Sequence, residues 1–243
     1  MPILEVTGLS KRFGGFVALE SIDLSVAEGE RVGLIGPNGS GKSTLVNCIC
    51  GTLVNETGSV RFNGAPVDGL VTHERTRRGM ARSFQLPRPF VTLTVADNLR
   101  VPLLYTVNAR PGHSLTPTEL DARCLELLQL VGLADKATQW PRDLTQVEMR
   151  KLELARALAA KPRLLISDEA MAGLSANEVG DVLAILFRLN ESGIAVIMIE
   201  HIMQAVMRFS QRVICLDAGQ IICEGAPAAI VADANVQRAY LGA

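Results

Sequence analysis

The sequence predicts an α/β protein: a mostly parallel sheet with crossover helices, preceded by an antiparallel β region and interrupted by a helical insertion. Three observations carry this. The apolar strands Arg31-Val32-Gly33-Leu34-Ile35, Leu164-Leu165-Ile166 and Ile194-Ala195-Val196-Ile197-Met198-Ile199 alternate with helix-compatible segments, the pattern of parallel strands joined by crossovers. The glycine-rich run Gly36-Pro37-Asn38-Gly39-Ser40-Gly41-Lys42-Ser43-Thr44 sits between the first strand and a helix start, at the spacing that lets backbone wrap a phosphate chain. From Pro87 to about Ala160 the character is helical.

The elements follow in order. Alternation predicts strands at Ile3–Val6 and Ile22–Val26, with a Glu28-Gly29 turn leading into the strand before the glycine-rich run. Thr44-Leu45-Val46-Asn47 opens a helix, and Ser59-Val60-Arg61-Phe62 runs into the hairpin turn Asn63-Gly64. Thr94-Val95-Ala96-Asp97 has capping-box character, so a helix starts there. Its neighbours Phe90, Val91 and Leu93 are either core or docking surface. Leu120, Cys124, Leu127, Leu128 and Val131 share one helical face and read as core. A helix is expected from about Ala176, and a final hairpin at Val213–Leu216 and Gln220–Cys223 around Asp217-Ala218-Gly219.

Composition removes several function classes. The 243 residues are 48% apolar, enough core for one large or two small domains. With 20% charged residues and a net charge of -1 there is no electrostatic footprint for nucleic acid. No apolar run approaches the roughly 20 residues that span a bilayer, and Met1-Pro2-Ile3-Leu4-Glu5 lacks a signal region. A cytosolic chain is expected. Cys48, Cys50, Cys124, Cys215 and Cys223 show no paired metal-ligand spacing and read as buried free thiols.

The chemistry concentrates at strand ends. In the glycine-rich loop, backbone N–H groups and the positive end of the following helix would converge on phosphate oxygens. Lys42 would sit on the β- and γ-phosphates, and the Ser43 hydroxyl would hold Mg²⁺. Leu164-Leu165-Ile166-Ser167-Asp168-Glu169 delivers two adjacent carboxylates at the edge where open α/β sheets bind ligands. Asp168 would hold Mg²⁺ directly or through water, and Glu169 would polarise the water that attacks the γ-phosphate. Adjacent acids at a strand end are also common solvated turn residues. His201, again just after a buried strand, is either structural or a hydrogen-bond partner of the γ-phosphate.

The order of phosphate loop, Gln85, a signature-like segment at Leu144, Asp168-Glu169 and His201 resembles the ATP-binding subunit of an ABC transporter over essentially the whole chain. Arg12-Phe13-Gly14-Gly15, Asn47-Cys48, Arg82-Ser83-Phe84-Gln85, Ile199-Glu200-His201 and Arg238-Ala239-Tyr240-Leu241-Gly242 are similar to branched-chain amino-acid importer ATPases. The resemblance implies a P-loop NTPase (RecA-like) core at 1–86 and 161–243, with an N-terminal antiparallel β subdomain and a helical subdomain inserted at 87–160. It implies ATP and Mg²⁺ as ligands, Phe13 stacked on adenine, Gln85 sensing Mg²⁺ and coupling to the transporter core, and His201 as a switch histidine. A buried turn phenylalanine is the other reading of Phe13. The implied partners are a second ATPase subunit and a transmembrane permease that the helical subdomain touches, which places the chain at the cytoplasmic face of the cell membrane. An ATP-dependent clamp with little hydrolysis and an export ATPase are the alternatives.

The sequence departs from the family pattern where the opposite site should be completed. In place of Leu-Ser-Gly-Gly-Gln stand Leu144-Thr145-Gln146-Val147-Glu148, followed by the better matching Leu152-Glu153-Leu154-Ala155-Arg156-Ala157-Leu158. Thr145 and Glu148 retain a capping box, but Val147 occupies the position where the family's glycine backbone approaches the γ-phosphate. Ala170 replaces a proline, and Ser175 stands where Asp or Asn is usual. The remaining nucleotide face is intact. This asymmetry implies a heterodimer, in which a sibling's signature completes the site on this phosphate loop.

Overall fold

The computed structural model describes residues 2–84, 86–112 and 114–241. Strands β1 (Pro2–Phe13) and β2 (Phe16–Ala27) form one antiparallel hairpin, longer than the alternation alone indicates. In β2 the apolar Ile22, Leu24 and Val26 point inward while Asp23, Ser25 and Ala27 are exposed, as a half-buried strand requires. Strand β3 (Arg31–Ile35) runs through the loop 36–41 into helix α1 (Lys42–Cys50). Strands β4 (Thr57–Phe62) and β5 (Ala65–Pro66) close on Asn63-Gly64, both at positive φ (51° and 72°), the geometry a tight hairpin favours. Helix α2 (Thr72–Arg77) then leads to β6 (Met80–Ser83).

The helical stretch comprises α3 (Val95–Pro102), continued by a π-helical turn at Leu103–Val107, α4 (Pro117–Val131) and α5 (Gln146–Ala159), all three packed on one another. Each begins at a threonine whose hydroxyl accepts from the N–H three residues on: Thr94 from Asp97 (3.1 Å), Thr116 from Glu119 (3.3 Å) and Thr145 from Glu148 (3.4 Å). The buried residues of α4 are Leu120, Cys124, Leu127, Leu128 and Val131, the face expected from their spacing. Phe90 and Val91 are 42% and 70% exposed and Leu93 is half-buried, so none of the three is core.

The chain continues through β7 (Leu164–Asp168), α6 (Ala176–Glu191), β8 (Ala195–Ile199), α7 (Met203–Phe209), the hairpin β9 (Arg212–Asp217) and β10 (Gln220–Gly225), then α8 (Pro227–Ala232) and α9 (Ala234–Leu241). Two sheets result. One is antiparallel, in the order β2-β1-β4-β5; the other has the order β10-β9-β3-β8-β7-β6, parallel except for the β9–β10 pair. Period-2 alternation in the second sheet divides the protein into two cores. Val32, Leu34, Leu164, Ile166, Ile197 and Ile199 pack with α1 and the antiparallel sheet. Leu165, Val196, Met198, Val213 and Cys215 face the other helices. Four of the cysteines are buried, with the Cys50, Cys124 and Cys215 thiols pushed up to about 11 by burial, whereas Cys223 is only half-buried. Among the described residues no helix is long and apolar enough to cross a membrane.

Candidate nucleotide site

Parallel neighbours β3, β8 and β7 end side by side, so everything that follows their C-terminal ends meets in one place. In the loop from β3, two glycines have no room for a side chain. A Cβ on Gly36 would stand 2.1 Å from the Leu216 carbonyl oxygen, and one on Gly41, at φ 106°, 2.7 Å from that of Ala18. Lys42 is buried, and its Nζ donates to the carbonyls of Gly36 (2.7 Å) and Pro37 (2.9 Å). Burial pushes this ammonium group's pKa down, while the Glu169 carboxylate is the largest influence in the opposite direction. The Ser40 hydroxyl is buried with no hydrogen-bond partner. Beside the loop lies a cavity of about 270 Å³, bounded by Asn38, Gly39, Ser40, Gly41, Lys42, Ser43, Thr44, Glu169, His201, Phe13, Phe16 and Ala18. Phe13 is not buried in its turn: at 48% exposed, it forms part of that wall.

Of the two adjacent acids only Glu169 lines this cavity. Asp168 ends β7 and is buried; Glu169, the next residue, adopts φ +48°, a left-handed conformation rare for a side-chain-bearing residue. Its N–H donates to the Ile199 carbonyl (2.9 Å), which ties the turn to β8. His201 Nε2 lies 3.0 Å from Glu169 Oε1. Since an ionised carboxylate only accepts, Nε2 carries the proton in this pair. Gln85, expected to sense the metal, lies outside the described residues.

Sequence reading assigned no role to three groups that the structure brings to the site. Arg82 on β6 donates to Asp168 Oδ2 through Nη2 (2.5 Å) and Nε (3.2 Å), and to Asn47 Oδ1 through Nη1 (2.7 Å). Glu200 is buried and accepts from the Met171 N–H (2.8 Å). The Tyr240 hydroxyl accepts from the Gly36 N–H (2.8 Å). Their partners are far away in sequence, so no local spacing marks them.

The signature-like segment opens α5. Thr145 and Gln146 are exposed, and Val147 and Glu148 are half-buried. The Glu148 carboxylate accepts from the Thr145 N–H (2.8 Å) and pairs with Lys136 (3.1 Å), and these contacts hold its pKa below the ordinary glutamate value. Gln146 lies against Gly173, where a Cβ would stand 3.0 Å from the Gln146 Nε2. Ser175, before α6, donates its hydroxyl to Glu178 (2.6 Å).

A glycine-built loop closed on a buried lysine, with the acids that end β7 two strands away in the same parallel sheet, is the arrangement of a nucleotide-binding cassette. The ABC transporter family model matches residues 19–172, and the model for the branched-chain amino acid ATP-binding cassette transporter matches residues 220–243. The chain is 35% identical to the high-affinity branched-chain amino acid transport ATP-binding protein BraF of Pseudomonas aeruginosa, over 99% of this chain and 98% of that one. It is 33% identical to LivG of Escherichia coli K12, described in the same terms, with the same coverage. The ADP conformation of MJ1267, an ATP-binding cassette of an ABC transporter, superposes with a TM-score of 0.89 at 29% identity and covers all of both chains. The chain belongs to the ABC transporter ATP-binding family.

Proposed function

We propose that this chain is the ATP-hydrolysing subunit of an importer for branched-chain or other small amino acids, peripheral to the cytoplasmic face of the membrane through its permease. The observation carrying this reading is the convergence of the glycine loop, Lys42, Glu169 and His201 around one cavity, with Asp168 immediately before Glu169 at the end of β7. The full-length similarity to branched-chain transport proteins supports the solute class.

The residues fit a nucleotide triphosphate with its metal. The cradle excludes side chains where backbone must approach, and the N-terminal N–H groups of α1 face an incoming anion. The donors available to a cation are oxygens, the Ser43 hydroxyl and the Asp168 carboxylate. Among the described residues no group of three His, Cys, Asp or Glu could hold a metal alone. A sparse, oxygen-only set suits Mg²⁺, which keeps waters and shares substrate phosphates. When bound, Mg²⁺ would neutralise charge on the β- and γ-phosphate oxygens.

The chain's own residues do the rest. Lys42 exchanges its two loop carbonyls for phosphate oxygens, gaining a charge-assisted contact. Glu169, oriented by its constrained turn and by His201, orients and polarises the attacking water. Arg82 holds one Asp168 oxygen and thereby sets the direction of the other. Phe13 offers its exposed face to the base. A second cavity, of about 280 Å³ and lined by Phe84, Phe90, Tyr105 and Arg156, is where a permease segment would seat against the helical part.

The degenerate signature supports pairing with a sibling ATPase. Val147 at the start of α5 also favours a second reading, a nucleotide-dependent clamp with little turnover. Uptake of labelled leucine into vesicles holding the permease, the sibling and this chain separates the two. Transport requires ATP on the side bearing the chain if the importer reading is right; ATP binding without any uptake of leucine or other small amino acids would favour the clamp.

A further inference from the structure

The phosphate loop is gripped from outside by the part of the chain that follows β9. The Gly219 N–H, in the β9–β10 turn, donates to the Ser40 carbonyl (3.0 Å), and the Gly219 carbonyl accepts from the Glu20 N–H (2.9 Å). At the root of the loop, the buried Gly36 donates its N–H to the Tyr240 hydroxyl at 2.8 Å, across 204 residues of sequence. Tyr240 is carried by α9, whose first turn is capped by Asp233: Oδ1 accepts from the N–H groups of Asn235 (2.8 Å) and Val236 (3.1 Å). Val236 is buried at 4% exposure and anchors the helix in the core. Packing of a whole helix therefore sets where the hydroxyl stands.

We propose that Tyr240 is a positioning residue for the nucleotide site, through which α9 latches the root of the phosphate loop. A nucleotide needs the loop in one conformation, and an unpaired N–H at a buried glycine makes that conformation costlier. Whatever α9 contributes to nucleotide affinity, bound nucleotide returns to the docking of α9, because coupling between two sites is reciprocal. The latch rests on the nucleotide reading given above.

The test is equilibrium titration of the purified chain with a fluorescent ADP analogue, together with hydrogen–deuterium exchange across α9 with and without ADP. Tyr240→Phe keeps the ring and removes only the hydroxyl; Tyr240→Ala removes both. The expected result is ADP affinity weakened about two- to ten-fold by Tyr240→Phe, the equivalent of one neutral hydrogen bond, and at least as much by Tyr240→Ala. ADP should slow exchange across α9 in the wild type and do so less in Tyr240→Phe. Unchanged affinity in Tyr240→Phe, or exchange across wild-type α9 that is indifferent to ADP, overturns the latch. A wild type that binds no ADP overturns the nucleotide reading as well, so the two failures are told apart.

Discussion

Glu200 is buried beside the site, accepting from the Met171 N–H and followed in sequence by His201. Burial is the main reason its carboxyl is pushed up to about 7, against an ordinary value of 4.5; the nearby Glu169 adds to the rise, while the Met171 and His201 N–H groups and Arg150 oppose it. Between those two values the folded protein retains a proton that the unfolded chain has released. Stability therefore falls as pH rises from about 4.5 through about 7, and levels off above. Glu200→Gln keeps an acceptor for the Met171 N–H and removes the ionisation. Thermal unfolding of this variant should lose less stability than wild type between about pH 5 and about pH 8; identical pH profiles would contradict the assignment. At this scale the sequence revealed residues whose chemistry is local. Lys42, Asp168, Glu169 and His201 each follow an apolar strand or sit in a glycine-rich run. Arg82 and Tyr240 matter through partners 86 and 204 residues away, which nothing in their own neighbourhoods signals; Glu200 follows the same apolar strand as His201, and only its partner 29 residues back was hidden.

The start of α5 carries Leu144-Thr145-Gln146-Val147-Glu148 where the resemblance leads one to expect Leu-Ser-Gly-Gly-Gln. Its fold is sound: the Thr145–Glu148 box forms, and Lys136 draws the Glu148 carboxylate to the helix end. What remains altered is the half-buried Val147 side chain in place of open backbone. A hydrogen bond to a charged group is worth about 1.5–3 kcal/mol, so if Val147 denies one to the γ-phosphate, Val147→Gly should raise turnover at the site it completes by about 10- to 150-fold. Turnover unchanged by Val147→Gly would mean that the valine is tolerated. Helix starts were legible where a threonine cap is local, at Thr94 and Thr145, whereas the short helices α2, α7, α8 and α9 carry no such mark and were not anticipated. Strand β6 was not: Met80-Ala81-Arg82-Ser83 has neither an apolar run nor alternation, and pairing with β7 makes it a strand.

For the whole molecule, strand periodicity fixes the relation between the two cores, and that relation brings the ends of β3, β7 and β8 together. The parallel core was legible from its apolar runs. The reach of the β1–β2 hairpin to Phe13 was not, because the polar residues near its tip carry no burial signal. This placement sets Lys42, Glu169 and His201 around one cavity, and Val147 at the start of α5 is the residue from which the proposed pairing with a sibling is argued. The decisive measurement for the proposed function is steady-state ATP hydrolysis by the chain assembled with a permease and the proposed second ATPase, comparing wild type with Glu169→Gln. Wild-type turnover should be substantial and fall at least about 100-fold in the variant at the site bearing this phosphate loop, with ATP binding retained. Equal turnover by the two proteins at that site, or none by the wild type, would contradict the proposed function.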